Sequence, residues 1–190
     1  MGRGRLFVVS GPSGAGKSTV CKKVRIDLNI NLATSATTRS PREGEAHGRE
    51  YYFLSIEEFE NKIANDEFLE YANVHGNYYG TLKSEAEARL SKGENVILEI
   101  DVQGGIQIKK KFEDACLVFF KAPSEKVLEE RLRGRGTDAE EVVQLRLKNS
   151  LKEMEFEKEY EYVIINETVE KSVEELIEII KKEGNNKPSA

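Results

Sequence analysis

Tryptophan is absent from this chain of 190 residues, and cysteine, methionine and histidine occur only twice each. Cys21 and Cys116 have no metal-ligand spacing and no basic or histidine pattern that would mark a catalytic thiol, so both are read as buried, reduced and structural. No apolar run approaches the length that spans a bilayer, and Met1-Gly2-Arg3-Gly4-Arg5 enters the first apolar run without a signal-peptide core. These absences predict a cytoplasmic protein with no membrane partner. A positive excess is missing as well: 29 Lys and Arg stand against 34 Asp and Glu, and the net charge of −5 repels nucleic acid and anionic surfaces unless the basic residues cluster. No nucleic-acid partner is expected. Internal repeats and low-complexity tracts are absent too.

What is present suits one domain, since the length lies in the single-domain range and 38% hydrophobic content can build a sizeable core. Apolar, β-branched-rich runs recur at Leu6 to Val9, Val96 to Ile100, Cys116 to Phe120 and Tyr162 to Ile165, with helical segments between them. That alternation predicts an α/β fold with a mostly parallel sheet covered on both faces. Leu32 to Thr38 is a weaker strand candidate. After Arg39 the pattern changes, with Gly44, Gly48, Gly76 and Gly80 punctuating short strands such as Tyr51 to Leu54 and Phe68 to Ala72. Ser55 with Glu58, Thr137 with Glu140 and Ser172 with Glu175 have capping-box spacing ahead of helices, and Val143 with Leu147 forms an apolar stripe on a charged one. The last residues carry no burial signal, which predicts a disordered tail over 185–190.

The strongest motif is Gly11-Pro12-Ser13-Gly14-Ala15-Gly16-Lys17-Ser18, placed between the run Leu6 to Val9 and a helical stretch from about Lys17 to Leu28. That is the context a phosphate-binding P-loop requires. The glycines let successive amide N–H groups point at phosphate oxygens, and the following helix adds its positive end. Lys17 then reaches the β- and γ-phosphates of a nucleoside triphosphate. Ser18 supplies a hydroxyl to a magnesium ion, a hard cation that favours oxygen ligands. The motif leaves the phosphate acceptor unspecified.

Arg39 and Arg42, three apart among turn residues and followed by Tyr51, form a candidate monophosphate clamp, because guanidinium forks bind phosphate oxygens bidentately. A solvated basic loop is the bland alternative. The run Thr37-Thr38-Arg39-Ser40-Pro41-Arg42-Glu43-Gly44-Glu45 after a P-loop, however, resembles the guanylate kinase family. The resemblance continues through Glu67 to Tyr71, Gly76 to Thr81, Ile97 to Gly104 and Arg131 to Thr137, nearly the whole chain. It implies transfer of the γ-phosphoryl of ATP to GMP, with Mg2+ entering as MgATP. It also implies one domain over 4–184: a core at 4–34, 84–124 and 160–184, a GMP-binding lobe at 35–83 and a helical lid at 125–159.

Carried over by resemblance, Arg39, Arg42, Tyr51 and Tyr79 hold the GMP phosphate, while Ser35, Glu70 and Thr81 read guanine. The chemistry agrees, since guanine offers N1–H and its N2 amine as adjacent donors to one carboxylate, and hydroxyls can donate to O6. Glu99 and Asp101 fall on the GMP side of the site. Thr81 stands where the family often has Ser, and Glu99 where Asp also occurs. Asp101 has two readings: a carboxylate facing magnesium, usually through water, or a cap on the next helix. The resemblance assigns Arg131, Arg135 and Arg146 to the ATP phosphates and the transition state, with Lys17, and leaves Arg133 solvated. Gly134 and Gly136 suit hinges. Asn166 resembles a position near the adenine, with a loop-capping role as its alternative. His47 and His75 are read as loop residues.

Three competitors are weighed against this reading. A scaffold module that has lost nucleotide chemistry fits poorly with intact Gly16-Lys17-Ser18 and the arginines; a kinase acting on AMP or a sugar phosphate fits poorly with Ser35, Glu70 and Thr81. A regulatory GTPase would carry an Asn-Lys-x-Asp motif, which is missing. Monomer and homodimer both stay open.

Overall fold

The computed structural model describes residues 2–74, 76–134 and 140–185. Expectations placed on His75, Arg135, Gly136, Thr137 and the tail beyond residue 185 lie outside the described residues. In chain order the elements are β1 (Leu6–Ser10), α1 (Lys17–Asp27), β2 (Asn31–Leu32), β3 (Ser35–Thr37), β4 (Tyr52–Phe53), α2 (Ile56–Ala64), β5 (Phe68–Val74) and β6 (Asn77–Leu82). Then follow α3 (Lys83–Leu90), β7 (Val96–Glu99), α4 (Val102–Lys111), β8 (Cys116–Lys121), α5 (Glu125–Arg133), α6 (Glu140–Met154), β9 (Tyr162–Ile165) and α7 (Val169–Asn185).

One sheet runs β2-β7-β1-β8-β9, with every pairing parallel. All of β1 is buried, and because side chains alternate along a strand, Phe7 and Val9 face one layer while Leu6 and Val8 face the other. Val20, Cys21 and Val24 of α1 and Val173, Leu176 and Ile180 of α7 cover the first face. Ala86 and Leu90 of α3 with Val102 and Ile108 of α4 cover the second. The result is a three-layer α/β/α core. Cys21 and Cys116 are free thiols buried in it, and burial raises both pKa values, that of Cys116 to about 12.

A second sheet, β4-β3-β6-β5, stands beside the core. It closes over α2, whose Phe59 ring stacks on Phe68 at 4.3 Å and on Tyr78 at 5.1 Å between centroids. The Ser55–Glu58 capping box opens α2, as its spacing predicts. Val143 and Leu147 of α6 pack on Leu128 and Leu132 of α5, so the apolar stripe is an interhelical seam. Among the described residues no helix is long and apolar enough to cross a membrane.

Three expectations change. The strand candidate Leu32 to Thr38 is split: β2 pairs with β7 in the core, Ala33 still donates to the Ile97 carbonyl, and β3 then joins the second sheet. Strand β6 was hidden by Gly80, which sits inside it because a Cβ there would lie 2.8 Å from the Glu70 carbonyl oxygen. Ser172 does not open the last helix. α7 begins a turn earlier, with Thr168 accepting the Lys171 N–H at 3.3 Å, and the fully buried Ser172 hydroxyl donates instead to Asn166.

Candidate active site

The turn between β1 and α1 takes the conformation its glycines permit, with φ of 142° at Gly11, 87° at Gly14 and 85° at Gly16. At Gly11 no other residue fits, because a Cβ would lie 2.1 Å from the Phe120 carbonyl oxygen of β8. Gly11, Ser13, Gly14, Gly16, Lys17 and Ser18 line a cavity of about 710 Å³. The Lys17 ammonium donates to the Gly11 and Pro12 carbonyls at the loop's own mouth. Burial lowers its pKa, against the opposing pull of Glu99 and Glu153. Ser18 donates its hydroxyl hydrogen to the Glu99 carboxylate.

Pro12 and Ala15 do not line the cavity; Ala15 is fully buried and its carbonyl accepts the Asn166 amide N–H at 2.8 Å. Asn166, expected near the adenine, is 2% exposed and committed at both ends of its side chain, since its Oδ1 accepts from Ser172 at 3.1 Å. It braces the P-loop instead, which agrees with its alternative role. Arg131 reaches the same corner without lining the cavity. Its Nη2 donates to the Asn166 carbonyl at 2.8 Å, while Nη1 is buried without a partner among the described residues, 3.9 Å from where a Gly16 Cβ would stand. A buried, unpaired guanidinium donor beside the loop suits an anion.

Ser35, Glu70 and Thr81 come together because β3, β6 and β5 are neighbours in register: Thr81 lies opposite both Ser35 and Glu70, the latter across a bulge. Thr81 donates to Glu70 Oε1 at 2.8 Å, and the Ser35 and Thr81 hydroxyls are 3.5 Å apart. Ser35 and Glu70 line the cavity; Thr81 stands behind Glu70. Burial pushes the Glu70 pKa up to about 7, opposed by the Thr81 hydrogen bond and reinforced by Asp101. Gly104 of α4 leaves the room Glu70 needs, because a Cβ there would lie 2.6 Å from its Oε2.

Tyr51 and Tyr79 line the cavity with rings 6.0 Å apart, edge to face. Arg39 lies beside Tyr51 and is held by Glu45 through its Nη2. Arg42 is exposed, and its guanidinium has no hydrogen-bond or ion-pair partner among the described residues. Neither arginine lines the cavity. The helix-cap reading of Asp101 is the one observed, since it accepts the Gly104 N–H at 3.0 Å at the start of α4, and it also lines the cavity with Glu99. The carboxylate against Ser18 is that of Glu99, however, which moves Glu99 from the guanine side toward the P-loop. Ser18, Glu99 and Asp101 are all-oxygen donors, the chemistry a magnesium ion accepts.

Helix α5 is described to Arg133, so the shared helical face expected for Arg131 and Arg135 lies outside the described residues. Arg133 is exposed and pairs with Glu129 and Glu140. Arg146 does line the cavity, and with it Asn149, Ser150 and Glu153, three residues the sequence reading passed over. Their spacing of three, four and seven from Arg146 marks one helical face and could have found them. Ser150 is buried and donates to the Ser13 carbonyl at 3.4 Å, docking that face on the P-loop.

Comparison with known proteins agrees with this geometry. The sequence model of the family described as guanylate kinase matches residues 3–183. A guanylate kinase of Fusobacterium nucleatum is 65% identical over 180 residues, covering 95% of this chain and 97% of that protein. One of Clostridium tetani is 47% identical over 183 residues, covering 96% and 88%. The crystal structure of guanylate kinase from Anaplasma phagocytophilum superposes with a TM-score of 0.80 at 33% identity, covering 96% of this chain and 87% of that one. Matched from its first strand to its last helix, the chain belongs to the guanylate kinase family.

Proposed function

We propose that this chain transfers the γ-phosphoryl group of ATP to GMP, and to dGMP, giving ADP and GDP or dGDP. The observation that carries the acceptor's identity is the buried Glu70 carboxylate, bonded to Thr81 and facing the cavity that the P-loop shares. Guanine N1–H and N2–H satisfy both oxygens of one carboxylate, and O6 accepts from the Ser35 hydroxyl, while Thr81 donates to the Glu70 carboxylate and holds it from behind. Adenine leaves the carboxylate unpaired, which sets discrimination at about 10²–10⁴.

In this reading Gly11 to Ser18 cradle the triphosphate, and Lys17 exchanges its carbonyl partners for β- and γ-phosphate oxygens. Arg39, Arg42, Tyr51 and Tyr79 hold the GMP phosphate in line with the γ-phosphorus. One of its oxygens, already ionised at neutral pH, attacks; the new P–O bond forms as the bond to the bridging oxygen of ADP breaks, and no catalytic base is needed. Arg131, Arg135 and Arg146 take up the negative charge on the transferring group. Ser18, with Glu99 and Asp101 near it, would hold the magnesium ion of MgATP, which neutralises charge on the β- and γ-phosphates. Segment 35–83 serves as the acceptor lobe and 125–159 as a lid that excludes water, which would otherwise hydrolyse ATP. A coupled ADP-release assay across GMP, dGMP, AMP, CMP and UMP tests the assignment. Turnover with GMP and dGMP is expected; turnover confined to AMP overturns it.

A further inference from the structure

We propose that Glu45 is a positioning residue for the phosphate clamp, holding the Arg39 guanidinium in the plane that receives the monophosphate; this rests on the GMP-kinase reading above. A carboxylate beside a site for a phosphate dianion weakens the anion's binding unless it serves the arginines that hold it. Glu45 is placed to do so. Both of its oxygens lie 3.0 Å from Arg39 Nη2, while Arg39 Nη1 donates to the Ser40 carbonyl at 2.7 Å. The guanidinium carbon also sits 5.5 Å from the centre of the Tyr51 ring and 5.8 Å from that of Phe53. A guanidinium carries five N–H groups in a fixed fork; Glu45 occupies Nη2 and Ser40 one hydrogen of Nη1, which turns the remaining donors toward Tyr79, the other side chain the guanidinium meets.

Glu45 is itself anchored to the main chain. Its Oε2 accepts the Arg42 N–H at 2.7 Å, and its own N–H donates to the Arg42 carbonyl at 3.1 Å. One carboxylate thereby references both clamp arginines to each other: Arg39 through its side chain and Arg42 through its backbone. A stand-in for the phosphate would be displaced by it, whereas a group bound to a fixed backbone N–H stays when the phosphate arrives. The pair is partly buried, its side chains 16% and 18% exposed, and what Glu45 contributes to GMP binding is the placing of the clamp.

The test compares wild type with Glu45→Ala and Glu45→Gln in steady-state kinetics for GMP and ATP, and in equilibrium binding of GMP and of guanosine, which has no phosphate. Glu45→Ala is expected to raise the GMP KM about 10- to 100-fold, as a misplaced positioning group does. Its ATP KM and its guanosine affinity stay within about twofold of wild type. Glu45→Gln keeps an acceptor for the Arg42 N–H and falls between the two. A GMP KM unchanged in Glu45→Ala overturns the inference, as does guanosine affinity falling in step with GMP affinity, the mark of a collapsed lobe. A wild-type chain that neither binds nor phosphorylates GMP overturns the underlying reading and this inference with it; an active wild type with unchanged variants overturns the inference alone.

Discussion

Replacing Glu70 by Gln sets recognition of guanine against stability of the fold. The side chain is 2% exposed, and its pKa is raised from 4.5 to about 7, chiefly by burial. The folded chain therefore binds the extra proton between those values, so stability is fullest below about pH 4.5 and falls as pH rises toward 7. Over that interval the cost of ionising Glu70 comes to about 3 kcal/mol. Glutamine removes that cost at pH 8 but leaves an amide N–H short of a partner, at about 1–3 kcal/mol. Glu70→Gln should therefore gain up to about 2 kcal/mol at pH 8, a Tm rise of up to about 8 °C, and lose about 1–3 kcal/mol at pH 5, where wild type is already neutral and only the amide penalty remains. Recognition moves the other way. An amide offers guanine one acceptor and one misplaced donor, a loss of about 3 kcal/mol, or about a hundredfold in GMP KM. Wild-type affinity for GMP should also fall about tenfold from pH 8 to pH 6 as Glu70 is protonated, a component absent from the variant. The GMP phosphate titrates alike in both proteins, so the difference between their pH profiles isolates Glu70. Coupled ADP release at pH 6, 7 and 8 and thermal unfolding at pH 5 and 8 measure these quantities. An unchanged GMP KM, or a variant no better off at pH 8 than at pH 5, refutes the reasoning.

Arg42→Ala should raise the GMP KM and lower kcat together, because phosphate positioning serves both binding and alignment; steady-state kinetics matching wild type would remove Arg42 from the site. Asn166→Ala breaks the bonds to Ala15 and Ser172 and should cost about 2–3 kcal/mol in denaturant unfolding while leaving the preference for ATP over GTP intact. A lost base preference at constant stability would restore Asn166 to the adenine. Glu99→Gln should raise the Mg2+ concentration needed for half-maximal rate without changing the GMP KM, and the reverse pattern in a magnesium titration would return Glu99 to the guanine side.

The P-loop and the strands of the core were legible because their signals are local: glycines at positions needing positive φ, and apolar runs long enough to exclude other readings. The split of Leu32 to Thr38 was not, since sheet membership is decided by partners such as Ile97 and Thr81 that lie far along the chain. Ser172 satisfied a capping pattern that Thr168 fulfils one turn earlier, and only burial against Asn166 reveals its use. Gly80 disguised β6 because close packing on Phe68 and Tyr71 demands a residue that strands otherwise avoid. The bond from Glu45 to Arg39 and the bracing of Ala15 by Asn166 depend on folded proximity, which no spacing rule supplies.

The most direct measurement of the central claim follows the label from γ-phosphate-labelled ATP through a single turnover with GMP present and with GMP omitted. The account predicts label in the β-phosphate of GDP when GMP is present, and little inorganic phosphate when it is omitted. Label appearing in inorganic phosphate at the same rate with or without GMP would contradict it.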